Sequence, residues 1–118
     1  MYSAALLDHF QNPRNPGSLS DANARARVEN PACGDIFELS LKIENGVVVA
    51  AGFRAKGCVP SMACASLLTE MITGRTVAEA RSLRREELIE RIGGLPEASG
   101  HAAHLALDAL KAALAQLP

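Results

Sequence analysis

The stretch that decides the fold is residues 36–55, IFELSLKIENGVVVAAGFRA. Apolar and polar residues alternate over 36–43, the period-two pattern of a strand with one buried face. Asn45-Gly46 predicts a tight type I′ turn, because both central residues of that turn need positive φ. Residues 47–55 are rich in β-branched side chains and predict the returning strand. An antiparallel hairpin is therefore expected at the centre of the fold.

Shorter segments precede the hairpin. Residues 2–11 carry apolar side chains at helical spacing, and Pro13 and Pro16 stop that helix because proline lacks the backbone donor and restricts its predecessor. Residues 18–26 show no strong periodicity, so the first strand is expected to open only at 27–30.

Helices are expected after the hairpin. One begins just beyond Cys58 and runs to about Gly74, and Thr76 with Glu79 fits a capping box for the next. Two more are expected over residues 84–92 and 100–117. The order predicts an α+β fold: a small three-stranded antiparallel sheet packed against several helices, with a long C-terminal helix.

Composition narrows the functional classes. The 118 residues are expected to form one domain, residues 1–118, and the formal net charge is only -1. Lysines and arginines are scattered along the sequence and aromatic residues are scarce, so no nucleic-acid partner is expected. No membrane partner is expected either, since no apolar run approaches the roughly 20 residues of a membrane span. Three cysteines, an odd count, and no visible secretory signal favour reduced thiols in the cytoplasm.

Three cysteines need separate interpretations. Cys33 lies in a turn beside Gly34 and Asp35, where it could equally be a small buried hydrophobe and Asp35 an Asx-turn residue. Cys58 precedes a helix start, where the free amides and the helix dipole favour a thiolate in an exposed loop. Cys64 falls on a core-facing helical position and is expected to be an inert packed thiol.

The last helix has two faces. One is an apolar stripe expected to face the core, formed by Leu107, Leu110, Leu114 and Leu117. On another face lie His101, His104 and Asp108, where Asp108 could pair with or orient His104, or both histidines could simply be solvated. Two thiols, a carboxylate and an imidazole together suit zinc or iron–sulfur chemistry.

Taken together, several stretches resemble the IscU/NifU N-terminal family of iron–sulfur cluster assembly scaffolds. The resemblance covers nearly the whole chain. Its segments are Tyr2-Ser3, residues 8–18 (DHFQNPRNPGS), 31–35 (PACGD), Phe53, 56–58 (KGC), 66–70 (SLLTE), 76–80 (TVAEA) and 108–113 (DALKAA).

The resemblance implies a non-catalytic scaffold or carrier. A cysteine desulfurase would supply sulfur, iron would bind, and a transient [2Fe–2S] cluster would pass to iron–sulfur acceptor proteins. It assigns the cluster site to Cys33, Asp35, Cys58 and His101, a set that would also hold Zn²⁺ tetrahedrally.

Two departures from the family pattern follow. The family's His-Cys reads His101-Ala102 here, so the third cysteine is absent. The family's chaperone-recognition segment reads LPEAS over 95–99, which argues against recognition by the dedicated Hsp70-type chaperone. Cys64 stands where the family usually has a serine, and His104 is the better candidate to replace the missing ligand. A homo-oligomer could also supply that ligand from a neighbouring subunit.

The absent thiolate keeps a second function open. Loss of one thiolate weakens retention of a cluster more than binding of zinc. The alternative is thus a cluster-free, zinc-binding paralogue that regulates the assembly machinery. An enzyme with Cys58 as nucleophile is the least favoured class, because no oxyanion hole or substrate pocket is evident.

Overall fold

The computed structural model describes residues 1–31 and 34–117; the predictions for Cys33 therefore lie outside the described residues. The elements, in chain order, are α1 (Ala4–Gln11), β1 (Ala24–Asn30), β2 (Asp35–Glu44), β3 (Val47–Lys56), α2 (Val59–Ile72), α3 (Val77–Arg81), α4 (Arg85–Arg91), a 3₁₀ turn (Glu97–Ser99) and α5 (Gly100–Leu114). The predicted α+β class is confirmed, with the long helix at the C-terminal end.

The sheet has the order β1-β2-β3, and both pairs are antiparallel. Asn45 and Gly46 join β2 to β3 with φ of 53° and 73°, as the predicted type I′ turn requires. A register shift between Lys42 and Ile43 marks a bulge just before that turn. The hairpin prediction is confirmed.

The first strand begins earlier than predicted. It runs over Ala24–Asn30 and not only over 27–30, because Ala24 already pairs with Leu41 of β2. Its inward positions start with two alanines, Ala24 and Ala26, and alternate with exposed arginines. Alanine has little β preference, so the alternation could not be recognised in the sequence.

The core lies between the sheet and the helices. Phe37, Leu39 and Leu41 of β2 are buried there, and α2 is buried along most of its length. Helix α5 packs on the sheet, and the predicted apolar stripe is confirmed at Leu107, Leu110 and Leu114, whereas Leu117 lies beyond the helix end and is partly exposed.

Both outer edges of the sheet are occupied by other parts of the chain. The side chain of Gln116, just beyond α5, accepts a hydrogen bond from the Arg25 backbone N–H and donates one to the Arg25 carbonyl. On the opposite edge, the Gly17 N–H donates to the Phe53 carbonyl at 2.7 Å, and the Phe53 N–H donates to the Asn15 carbonyl.

Within residues 1–31 and 34–117, no helix is long and apolar enough to cross a membrane.

Candidate metal centre

Three elements that are distant in sequence meet at one end of the molecule. Asp35 is the first residue of β2, Cys58 is the N-cap residue of α2, and His101 lies in the first turn of α5. One ligand atom from each, a carboxylate oxygen, the Sγ and a ring nitrogen, all lie within 4.8 Å of one another. Three of the four residues proposed from the sequence are thus brought together.

The distances within this group are short. The Cys58 Sγ lies 3.2 Å from Asp35 Oδ2 and 3.7 Å from His101 Nε2. His101 Nε2 is 3.3 Å from the same carboxylate oxygen. The Asp35 side chain is buried and His101 is about one-third exposed, with 4% and 33% side-chain exposure respectively. His101 is therefore the more solvent-accessible of these two side chains.

Gly57 makes room for the carboxylate of Asp35. A Cβ added to Gly57 would lie 2.1 Å from Asp35 Oδ1, and its φ of +150° is one that other residues rarely adopt. The backbone N–H of the next residue, Cys58, donates to that same oxygen at 3.2 Å. The glycine before Cys58 is therefore needed for the close approach of β2 to the start of α2.

Ser61 is a site residue that the sequence analysis missed. Its hydroxyl donates to Asp35 Oδ2 at 2.7 Å and lies 3.2 Å from the Cys58 Sγ. Ser61 is buried, at 5% exposure, in the first turn of α2. The available signal was its position three residues after Cys58, which places both side chains on one face of the helix start.

The pKa of the Cys58 thiol is raised, not lowered. Burial is the largest cause, and hydrogen bonding with the Ser61 side chain and backbone opposes it only in part. The expectation that the helix N-terminus makes this thiolate easier to form is therefore wrong for the metal-free chain. Cys58 was expected in an exposed loop, but its side chain is partly buried. Because a metal binds the thiolate, metal binding at Cys58 must release a proton.

Cys64 is more deeply buried than Cys58. Its side chain is fully buried, and burial raises the pKa of its thiol to about 12. The predicted packing of Cys64 in the core is confirmed. Cys64 is not among the grouped ligand atoms of the described residues.

The C-terminal helix carries the other residues considered for the site. His104 is exposed and its Nε2 lies 3.4 Å from Asp108 Oδ2, so the pairing that the sequence left open is present on a solvated face of the helix. His104 is outside the group of converging ligand atoms in the described part of the chain. Ala102, the position at which the family resemblance led us to expect a cysteine, is buried at 1% exposure.

A second polar cluster lies further along α2, and we call it the anchor cluster: His9, Arg14, Ser66 and Glu70. Ser66 Oγ accepts a hydrogen bond from the Arg14 backbone N–H at 2.8 Å and lies 2.8 Å from His9 Nδ1. Glu70 pairs with Arg14 at 3.4 Å and lies 3.8 Å from His9 Nε2. These contacts fix α1 and the loop after it onto α2.

This fold and this site define a class of protein. The chain matches the family described as NifU-like N terminal domain over residues 1–118, and it belongs to that family. The resemblance stated from the sequence is confirmed.

Relatives of known name cover almost the whole chain. Iron-sulfur cluster assembly scaffold protein IscU 1 of Archaeoglobus fulgidus is 40% identical over 114 residues, which cover 97% of this chain and 74% of that protein. Iron-sulfur cluster assembly scaffold protein IscU of Haemophilus influenzae is 40% identical over 118 residues, covering 97% of this chain and 93% of the relative.

Solved structures agree on the fold. The N-terminal part of a nitrogen-fixing NifU-like protein from Brucella abortus superposes with a TM-score of 0.81 at 23% identity, covering 98% of this chain and 92% of that one. A scaffold protein for the SUF system from Fervidobacterium islandicum gives a TM-score of 0.77 at 20% identity, with 96% of each chain covered. At these identities the comparison supports the fold alone.

Proposed function

We propose that residues 1–118 act as one scaffold domain on which an iron–sulfur cluster is assembled, with Cys33, Asp35, Cys58 and His101 as its ligands. The observation that carries this proposal is the convergence of Asp35, Cys58 and His101 ligand atoms within 4.8 Å. The names of the relatives, iron–sulfur cluster assembly scaffold proteins, support the same function.

The chemistry of the ligand atoms fits iron or zinc. A thiolate and an imidazole are the donors that both metals accept, and a carboxylate completes many such sites. Asp35 is held in place by donors from Ser61 and from the Cys58 backbone, which keeps one oxygen directed toward the thiol. A ligand held by such contacts reorganises little when the ion arrives.

The scaffold would receive its sulfur from a cysteine desulfurase and transfer the finished [2Fe–2S] cluster to acceptor proteins. In this role the chain binds and releases its cargo and catalyses no reaction of its own. Because Cys64 is buried, Cys58 is the accessible thiol among the described residues for both sulfur receipt and ligation. We place this activity in the cytoplasm, where thiols stay reduced.

The two departures from the family pattern bear on two further partners, the Hsp70-type chaperone and a second copy of this chain. LPEAS at 95–99 lacks the family's chaperone-recognition residues, so we propose that cluster transfer proceeds without the dedicated Hsp70-type chaperone. A homo-oligomer that supplies a ligand across a subunit contact would compensate for Ala102. Size determination with and without bound cluster tests the oligomer directly.

Anaerobic reconstitution tests the scaffold. The full chain is incubated with ferrous iron, cysteine, a cysteine desulfurase and a dithiol reductant that converts the transferred sulfur to sulfide, and the visible absorption of a cluster is followed with iron and sulfide analysis. We expect a cluster with the unmodified chain and none with Cys58→Ala. A cluster retained in the double variant Cys33→Ala/Cys58→Ala would show that it binds elsewhere.

A second function is favoured by one observation: position 102 holds a buried alanine with no ligand atom. A zinc-holding, cluster-free protein that regulates the desulfurase needs only the four remaining ligands, a closed tetrahedral set. Co-purification with the desulfurase, one zinc per chain and no cluster under any reconstitution condition would establish it. A stable cluster would exclude it.

A further inference from the structure

We propose that the solvent-facing side of the sheet contains a binding site for a small multivalent oxyanion of the phosphate class. The site is a concave pocket of about 280 Å³ on the face opposite the helices. It is lined by Ser18, Arg25, Ala26, Arg27, Glu38, Leu39, Ser40 and Arg54. Three arginines thus share one pocket with a single acidic residue.

Strand register brings the cations together. Arg27, Glu38 and Arg54 stand side by side across β1, β2 and β3, and Arg25 lies in the neighbouring row opposite Ser40. Arg25 and Arg54 are two strands apart across the sheet and two residues apart along it, so spacings of about 4.8 Å between strands and about 3.4 Å per residue put their backbones roughly 12 Å apart. Two long arginine side chains can therefore contact one ligand between them. In the sequence the same arginines are scattered, which is why composition gave no sign of a basic surface.

The three arginines differ in whether a carboxylate lies close enough to balance the positive charge of the guanidinium group. Arg27 is near two carboxylates, with Glu29 at 3.5 Å and Glu38 at 3.8 Å. Arg25 donates to uncharged oxygens, Ser18 Oγ at 2.7 Å and the Leu19 carbonyl. These bonds hold Arg25 in place without neutralising it. Its remaining donors are available to an anion.

Arg54 completes the site. Among residues 1–31 and 34–117, no carboxylate lies within ion-pair distance of its guanidinium, although Glu38 is its neighbour across the sheet. Glu38 instead contacts Arg27. Arg25 and Arg54 therefore provide two positive charges that no acid of the described chain balances, in a protein whose formal net charge is -1.

The side chains and the size of the pocket indicate which class of ligand it binds. Planar guanidinium groups bind phosphate oxygens through paired hydrogen bonds. No aromatic side chain lines this pocket, so it offers no stacking surface for a nucleobase. A compact pocket with two uncompensated guanidinium groups fits pyrophosphate or a phosphate monoester better than an extended polymer.

Pyrophosphate is the probe for the test, titrated into the metal-stripped full chain by calorimetry, with backbone amide NMR to locate the site. We expect saturable binding of one pyrophosphate and shifts at Arg25, Ser40 and Arg54. Arg54→Gln and Arg25→Gln should each weaken binding by about tenfold, the effect of losing a charge-assisted hydrogen bond.

Matched controls separate this site from simple charge attraction and from the metal centre. Arg91→Gln removes an exposed arginine of α4, far from the pocket lining, and should leave the affinity unchanged. Cys58→Ala should also bind pyrophosphate normally, because it alters only the proposed metal centre. Circular dichroism of each variant confirms that it is folded.

Three results would overturn the proposal. One is the absence of binding at millimolar pyrophosphate. Another is an equal loss of affinity in Arg91→Gln, which would indicate non-specific attraction. The third is tighter binding of an acidic hexaglutamate peptide than of pyrophosphate at the same residues, which would identify the surface as a contact for an acidic protein segment.

Discussion

Helix α2 carries two polar clusters that look alike in composition and differ in their chemistry. The anchor cluster, in the middle of the helix, contains a histidine, a serine and a carboxylate, and so does the group at the helix start formed by Asp35, Cys58, Ser61 and His101. The anchor cluster includes its own cation, Arg14, which pairs with Glu70. The group at the helix start includes a sulfur and no arginine or lysine.

The presence of an internal cation in one cluster and of a sulfur in the other supports the proposal that the first stabilises the fold and the second binds a metal ion. In the anchor cluster each acceptor meets a donor of the chain, so the contacts stabilise the fold and no external ion is needed. At the helix start, three atoms with metal-binding lone pairs lie within 4.8 Å of one another, although the Asp35 carboxylate also accepts hydrogen bonds from Ser61 and the Cys58 backbone. A cation from solution is the partner that such an arrangement favours.

The largest effect should come from removing the thiol at the helix start. Cys58→Ala deletes a ligand, and we expect loss of stoichiometric zinc binding in equilibrium dialysis with elemental analysis. Cys64→Ala is the matched control on the same helix, since its thiol is fully buried and outside the group of ligand atoms. Equal zinc content in the two variants would contradict the distinction between the cysteines.

Gly57→Ala should have the next largest effect. The new Cβ would lie 2.1 Å from Asp35 Oδ1 and must displace that carboxylate. We expect zinc affinity to fall by about a hundredfold, the upper end of what disturbing a ligand's support costs. Gly74→Ala is the control, because φ there is also positive, +89°, but a Cβ would meet nothing within 4 Å. Competition with a chromogenic chelator measures both, and equal affinities would show that backbone strain alone matters.

Two serines of α2 allow the clusters to be compared directly. Ser61→Ala removes a donor to the buried Asp35 carboxylate, so we expect zinc affinity to fall by about tenfold and the free energy of unfolding of the metal-free chain to fall as well. Ser66→Ala leaves His9 and the Arg14 N–H without their partner and should lower the free energy of unfolding by about 2–3 kcal/mol. Its zinc affinity should stay unchanged.

Urea unfolding and zinc competition on both serine variants test whether only Ser61→Ala weakens zinc binding. If Ser66→Ala weakened zinc binding while Ser61→Ala did not, the roles given to the two clusters would be reversed. Ser61→Thr keeps the hydroxyl and should recover part of the lost affinity.

The smallest effect is a dependence of stability on pH. Burial lowers the pKa of His9 below its ordinary 6.5, so the folded chain prefers the neutral ring. The stability that follows is fully present above pH 6.5 and is lost as pH falls below it, because the unfolded chain then binds a proton that the folded chain does not. His9→Gln should show a smaller loss of stability in urea between about pH 7.5 and pH 5.5. Parallel curves for the two proteins would refute this role of His9.

Features set by neighbours in sequence were predictable, and those set by distant partners were not. Asn45-Gly46 specifies its turn through its own φ preferences, and the bonds between Thr76 and Glu79 form within a single helical turn. Cys64 was correctly placed in the core by helical spacing alone. The start of β1 was missed because pairing with Leu41 defines it, whereas its inward alanines carry little signal of their own.

The same reason explains what was missed at the site. Ser61 matters only because Asp35, 26 residues earlier in the chain, meets it across the fold. The anchor cluster likewise joins His9 to Ser66, 57 residues later. The raised pKa of the Cys58 thiol depends on burial that tertiary packing creates.

The hydrogen bonds of Gln116 have a consequence for self-association. By mimicking a neighbouring peptide unit, this side chain occupies the N–H and C=O of Arg25 that would otherwise be open to another molecule's strand. An unprotected sheet margin is where chains add to one another and aggregate. The Gln116 amide, two residues beyond the end of α5, thus blocks strand addition at Arg25, and displacement of this C-terminal segment would expose the edge of β1 to another chain.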